Sequence, residues 1–274
     1  DIRNCLQALA NTEPTMEALL AYRFQDGALR GQSFGNLFLA ALNGIMPSFD
    51  RAVESMSQVL AITGRVLPVT TADVQLEAEF ENGARVVGES RIFQCKQEQD
   101  CRIRRVNLLP SRPKALPEAV EAIREAEMVV LAPGSLYTSI IPNFLVSGIA
   151  DAVRQSRALK IYVLNIMTQD GETEGYTAAD HLAALLRHGT ADMVELCLAN
   201  SSPIPPELAE QIEQRTFLGV GTGVGGLEAL VQPPLVADTD ALVVPAGGVR
   251  PDLVQWTAAV YLAVAGDVEM IADV

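Results

Sequence analysis

Residues 128–142, MVVLAPGSLYTSIIP, decide the fold. Met128 to Leu131 is a short, wholly apolar run, the mark of a strand covered on both faces of its sheet. A loop rich in hydroxyl groups follows it at 132–139. Upstream, PEAVEAIREAE (117–127) reads as a helix with proline in its first turn. Downstream, Asn143 to Arg157 reads as one helix and KIYVLNI (160–166) as a second buried strand. Thr177, with Asp180 three residues on, opens a helix that stops at Gly189. MVELCLA (193–199) is a third strand. Strands alternating with helices predict an α/β fold on a mostly parallel sheet with flanking helices.

The texture changes on the N-terminal side. Between residues 65 and 108, GRVLPV, VQLEAEF and ARVVGESRI alternate apolar and polar residues, and Asn82-Gly83 marks a hairpin. Arg102 to Leu108 adds another strand. This predicts a small antiparallel β layer inserted before the α/β core. Residues 1–64 read as helices: one capped by Thr12 or Thr15, one opened by Ser33 and one opened by Ser48, the last stopped by Gly64. The expected organisation is 1–64 helical, 65–108 antiparallel and 109–274 α/β, all within one overall domain. At 203–274, three prolines precede a glycine-rich stretch. GVGTGVGG (219–226) permits a phosphate loop, but such strings are weak signals, and a flexible connection is the favoured reading.

The chain has 274 residues, with 20 Lys and Arg against 34 Asp and Glu, a net charge of −14. That balance disfavours nucleic acid and anionic membranes as partners. No apolar run reaches the roughly 18 residues of a membrane span. Only three cations are lysines, at 96, 114 and 160. The cysteines, Cys5, Cys95, Cys101 and Cys197, lack zinc-site spacing. Cys95 and Cys101 could close a small loop, yet with no secretory signal the expectation is free thiols in a cytoplasmic protein. The chain opens at Asp1 without methionine, so its natural start is expected further upstream.

In open α/β sheets ligands bind beyond the carboxyl ends of the strands, which singles out two loops. In the first, Gly134 lets backbone approach a ligand, Ser135, Thr138 and Ser139 supply hydroxyls, and backbone amides suit a phosphate. An ordinary hydroxyl-rich turn is the competing reading. The second, 165–177, is too long and polar for a minimal connection. Asn165 and Gln169 both donate and accept, as uracil or sugar recognition requires. Asp170, Glu172 and Asp180 offer oxygen ligands for magnesium, while a solvated acidic loop is the plainer reading of Glu172 and Glu174. His181 and His188 read as surface histidines. No GxSxG, HExxH or GxxxxGKS/T motif occurs, so serine hydrolase, zincin and Walker-type readings lack support.

Four strings in this order, DIRNCLQALA, GQSFGNLFLAAL, APGSLYTSIIPNFLVSGIADAV and YVLNIMTQDGETEGYTAADHL, resemble the YvcK/CofD-like family, from Asp1 to about Pro206. The similarity is strongest to the YvcK branch, the gluconeogenesis factors. It implies a Rossmann-like sheet, a cytoplasmic protein and a nucleotide-diphosphate ligand, a UDP-sugar such as UDP-N-acetylglucosamine, with a role in cell shape and gluconeogenic growth. The implied alternative is a CofD-like 2-phospho-L-lactate transferase acting on a nucleotide-diphosphate-linked donor with Mg²⁺. By position, Asn36, Gly134, Ser135, Leu136, Tyr137, Asn165, Thr168 and Gln169 carry over as ligand-binding residues, with Asp1 and Asn4 behind them. No catalytic residue and no resident metal ligand is assigned. A homodimer is the expected assembly if the chain self-associates. Two family features are absent upstream of DIRN: the glycine-rich GGGTGL-type unit and the acidic DDGG-type stretch. Ala132 stands where the family usually has glycine.

Overall fold

The computed structural model describes residues 2–99, 101–165, 168–169, 171–189, 193–199, 236–238 and 259–261. Asp1, Asp170 and the glycine-rich stretch 219–226 lie outside them.

Four helices open the chain: α1 (Ile2–Leu9), α2 (Pro14–Ala21), α3 (Phe34–Ile45) and α4 (Phe49–Val59). They share a core of their own in which Leu6, Leu20, Ala52, Val53, Met56 and Leu60 are fully buried. Ser33 caps α3 as expected, its hydroxyl accepting from the Asn36 amide at 3.2 Å. Two end signals differ from expectation. Glu13 rather than a threonine precedes α2, with Pro14 in its first turn. α4 stops at Leu60, ahead of Gly64.

The antiparallel layer is a three-stranded sheet of β1 (Gln75–Phe80), β2 (Arg85–Val87) and β3 (Ile103–Leu109), in the order β2-β1-β3. It is smaller than the alternation suggested. Residues 65–70 form no strand. ARVVGESRI splits after Val87 into a helix, α5 (Glu89–Gln99), which buries Ile92 and Cys95 against the sheet. All four cysteines are unpaired.

The α/β core carries three parallel strands, β4 (Met128–Leu131), β5 (Leu159–Val163) and β6 (Leu196–Ala199). Two short segments flank them in parallel, β7 (Val236–Asp238) beside β6 and β8 (Ala259–Tyr261) beside β4. The mostly parallel α/β sheet is thus as the sequence indicates. α6 (Pro117–Glu125) and α8 (Ile149–Gln155) pack together beside it, and α9 (Ala178–His188) follows the second loop.

The single helix expected at 143–157 is broken. A wide π-type turn at Leu136–Ile140 runs into α7 (Ile141–Leu145), and the chain interrupts itself before α8. Ser147 leaves the helical path to bond with the 113–115 segment, donating to the Pro113 carbonyl at 2.8 Å. Gly148 then takes a φ of 98°, which a side chain disfavours.

α9 is fixed at its start by a capping box. The Thr177 hydroxyl accepts from the Asp180 amide, and the Asp180 carboxylate accepts from the Thr177 amide at 2.9 Å. Thr177→Ala should lower stability by about 1 kcal/mol, the usual cost of losing an N-cap; urea denaturation of the two chains measures the difference.

Candidate functional site

The loops leaving β4 and β5 lie side by side at the carboxyl ends of their strands, and three side chains of the second hold the first. The Asn165 carbonyl oxygen accepts from the Gly134 amide at 3.0 Å, and its Nδ2 donates to the Gly134 carbonyl at 2.8 Å. The Ser135 hydroxyl donates to Gln169 Oε1 at 2.7 Å. Glu172 Oε1 accepts from the amides of Tyr137 and Thr138 at 3.2 and 2.9 Å. The second loop is itself wound into a turn, in which the Gln169 amide donates to the Thr173 hydroxyl at 2.9 Å. Gly171 is required there. It has a φ of 75°, and an added Cβ would lie 2.5 Å from the Phe93 ring.

The structure therefore brings Gly134, Ser135, Leu136, Tyr137, Asn165, Thr168 and Gln169 into one cluster, but redistributes their roles. Asn165 and Gln169 spend polar atoms on the first loop, so they position it. Leu136 and Tyr137 are fully buried, and Thr168 is nearly so. Leu136 and Tyr137 can meet a ligand only through backbone. The amides of Ser135 and Leu136 have no hydrogen-bond partner among the described residues. Gly134 is not demanded by the chain's own packing, since a Cβ there would make only ordinary contacts of 3.7 and 3.8 Å. Asn36 sits in the first turn of α3, within the helical layer and its separate core. Asn4 lines another groove, with Gln7, Thr12 and Glu17.

Three expectations are corrected. Glu172 is not solvated but 3% exposed, because its carboxylate satisfies two amides that would otherwise be buried without partners. Glu174 pairs with the buried Lys96 of α5 at 2.7 Å. The histidines are not surface residues. His181 is fully buried, with Nδ1 donating to the Thr177 carbonyl at 3.0 Å. His188 is half-buried; its Nδ1 donates to the Ala184 carbonyl at 2.7 Å and its Nε2 accepts from the Val106 amide at 3.1 Å. These bonds fix the neutral form of His188, and burial lowers the pKa of both rings.

Sequence reasoning missed Tyr176. Its hydroxyl lies 2.9 Å from that of Tyr137, with the rings edge to face. Nothing local distinguishes it from a loop tyrosine, since its partner stands 39 residues away. Of the three acids read as magnesium ligands, Glu172 holds amides and Asp180 caps α9, while Asp170 lies outside the described residues. No group of three metal-ligating side chains occurs among the described residues.

Burial pushes the Glu172 carboxyl up to about 7, against the pull of the Tyr137 and Thr138 amides toward the ionised form. The folded state thus keeps a proton that the unfolded chain has released between about 4.5 and 7. Stability falls as pH rises through that window, by on the order of 3 kcal/mol. Glu172→Gln should flatten that slope; melting temperature against pH, measured for both chains, checks it.

Residues 1–222 match the family model for 2-phospho-L-lactate transferase CofD. A relative from Thermoanaerobacterium thermosulfurigenes is 51% identical over 214 residues, covering 78% of this chain and 66% of its own. The gluconeogenesis factor of Bacillus subtilis is 45% identical over 231 residues, covering 84% of this chain and 72% of its own. A crystal structure of a UPF0052 family member from Bacillus halodurans superposes with a TM-score of 0.81 at 41% identity, covering 87% of this chain and 76% of that one. The chain spans 66% of the length of the Thermoanaerobacterium relative, and 48% and 40% of homologues from Clostridium acetobutylicum and Nostoc. With its PGSLYTS loop held inside the segment these proteins share, the chain belongs to the CofD/UPF0052 family, as a homologue of its gluconeogenesis factors.

Proposed function

We infer that this chain binds a nucleotide-diphosphate sugar of the UDP-N-acetylglucosamine kind at the Gly134–Ser135–Leu136 backbone, and acts in cell shape and gluconeogenic growth rather than in turnover. The observation that carries the reading is the loop itself. It is clamped from behind by Asn165, Gln169 and Glu172, which leaves the Ser135 and Leu136 amides without partners among the described residues, beside a glycine that the packing does not require. Preorganised amides suit a diphosphate, because they supply donors without buried positive charge. The second reading is a phospholactyl-type transferase, supported by the description of the matching family model.

UDP-N-acetylglucosamine should raise the melting temperature more than ADP-ribose or NAD at equal concentration, through ligand linkage. Equal shifts, or none, would sink the UDP-sugar reading. Asn165→Ala should cost about 1–3 kcal/mol of ligand affinity by unpinning Gly134, while circular dichroism stays that of the folded chain.

A further inference from the structure

A second groove lies between β3 and α9, away from the Gly134–Ser135 backbone. It has a volume of about 530 Å³ and is lined by Arg102, Arg104, Arg105 and Arg187, with His188 and Tyr176 on its walls. That concentration of cations is unexpected in a chain of net charge −14. Two carboxylates against four guanidinium groups leave the groove with a positive excess, although Asp180 offsets part of the Arg102 charge. Asp180 is committed to the capping box, and Glu81 makes no salt bridge with these arginines among the described residues.

A β-bulge builds the cluster. Glu79 pairs with Arg105 and Phe80 with Ile103, so Arg104 is the extra residue. Strict alternation would put Arg105 on the same face as Ile103, inside the core. The bulge breaks that period: Ile103 and Val106 are buried, and Arg104 and Arg105 between them are both exposed. Arg102 lies over the Tyr176 ring at 5.1 Å from its centroid. Arg104 is shared with Glu79 at 3.1 Å. Arg105 and Arg187 have no carboxylate partner among the described residues, and both lie near enough to His188 to disfavour its protonation. The bond from the Val106 amide to His188 holds strand and helix together beneath them.

Guanidinium forks that converge on a groove, and whose own protein partners are few, match phosphoryl oxygens bidentately. We propose that this groove, with Tyr176 on its wall, is a binding site for a small, multiply charged phosphorylated molecule, separate from the nucleotide-sugar site. Its size accommodates more than a single phosphate. The inference does not depend on the nucleotide-sugar reading, because no residue used here is one of the loop clamps.

Isothermal titration with inorganic pyrophosphate, at ionic strength matched with sodium chloride, tests it. The chain should bind, and Arg105→Ala/Arg187→Ala should weaken binding at least tenfold with a shallower salt dependence. Both arginines are exposed and lack a carboxylate partner among the described residues, and Arg187 gives up only its bond to the Tyr137 hydroxyl, so the double variant should keep the parent's circular dichroism. Asn165→Ala should bind pyrophosphate like the parent. Failure of the parent chain to bind overturns the proposal. So does binding that survives the double arginine change, or binding lost through Asn165→Ala alone.

Discussion

The candidate site depends on one buried carboxylate. Glu172 reaches from the second loop into the start of the π-type turn and takes the amides of Tyr137 and Thr138. Helix starts leave such donors without intrahelical partners. Inside a protein an unmet donor costs about 1–3 kcal/mol. Burying a carboxylate to meet two of them is itself costly, which is why its pKa rises toward neutrality. Its Oε2 lacks a partner among the described residues, so the arrangement stores part of that cost. Asn165 and Gln169 extend the same logic along the loop. What remains without a partner among the described residues, the Ser135 and Leu136 amides, is left over by this scheme.

The small antiparallel layer steadies the second loop from outside. Lys96 on α5 pairs with Glu174, Arg102 reaches toward the Gly175 carbonyl at 3.5 Å, and the Val106 amide meets His188 at the end of α9. These contacts tie the layer to the loop and to the helix that follows it. The Tyr137–Tyr176 hydroxyl pair closes the circuit, joining the first loop to the residue just before that helix. A polar network of this kind holds its members in one geometry only while each bond is kept. Disturbing the layer therefore bears on the loops, although the layer does not line the Ser135 backbone.

Much of the fold was legible in the sequence. The apolar runs of β4, β5 and β6 announced a sheet covered on both faces, Thr177 with Asp180 announced the start of α9, and Ser33 that of α3. These signals are local, carried by residues within a few positions of one another. Others failed where tertiary contacts prevailed. Alternation in ARVVGESRI overran the strand because the chain turns at Gly88, and the helix expected at 143–157 was broken by the bonds Ser147 makes to the 113–115 segment.

The sequence by itself determined the fold class, the strand-end position of both loops and, through its motif strings, the family. Hydrophobic periodicity and caps are short-range and survive without coordinates. Only the tertiary structure decided the roles. A glutamate in a polar loop reads as solvated until the amides it serves, 34 and 35 residues away, are seen. A histidine near a helix end reads as exposed until the strand amide 82 residues away is placed against its ring. The four arginines of the groove come from Arg102 just before β3, Arg104 and Arg105 on it and Arg187 on α9, and a single bulge takes Arg105 out of the core face. Burial and partner choice are set by folding, because the energy of a polar group depends on what surrounds it.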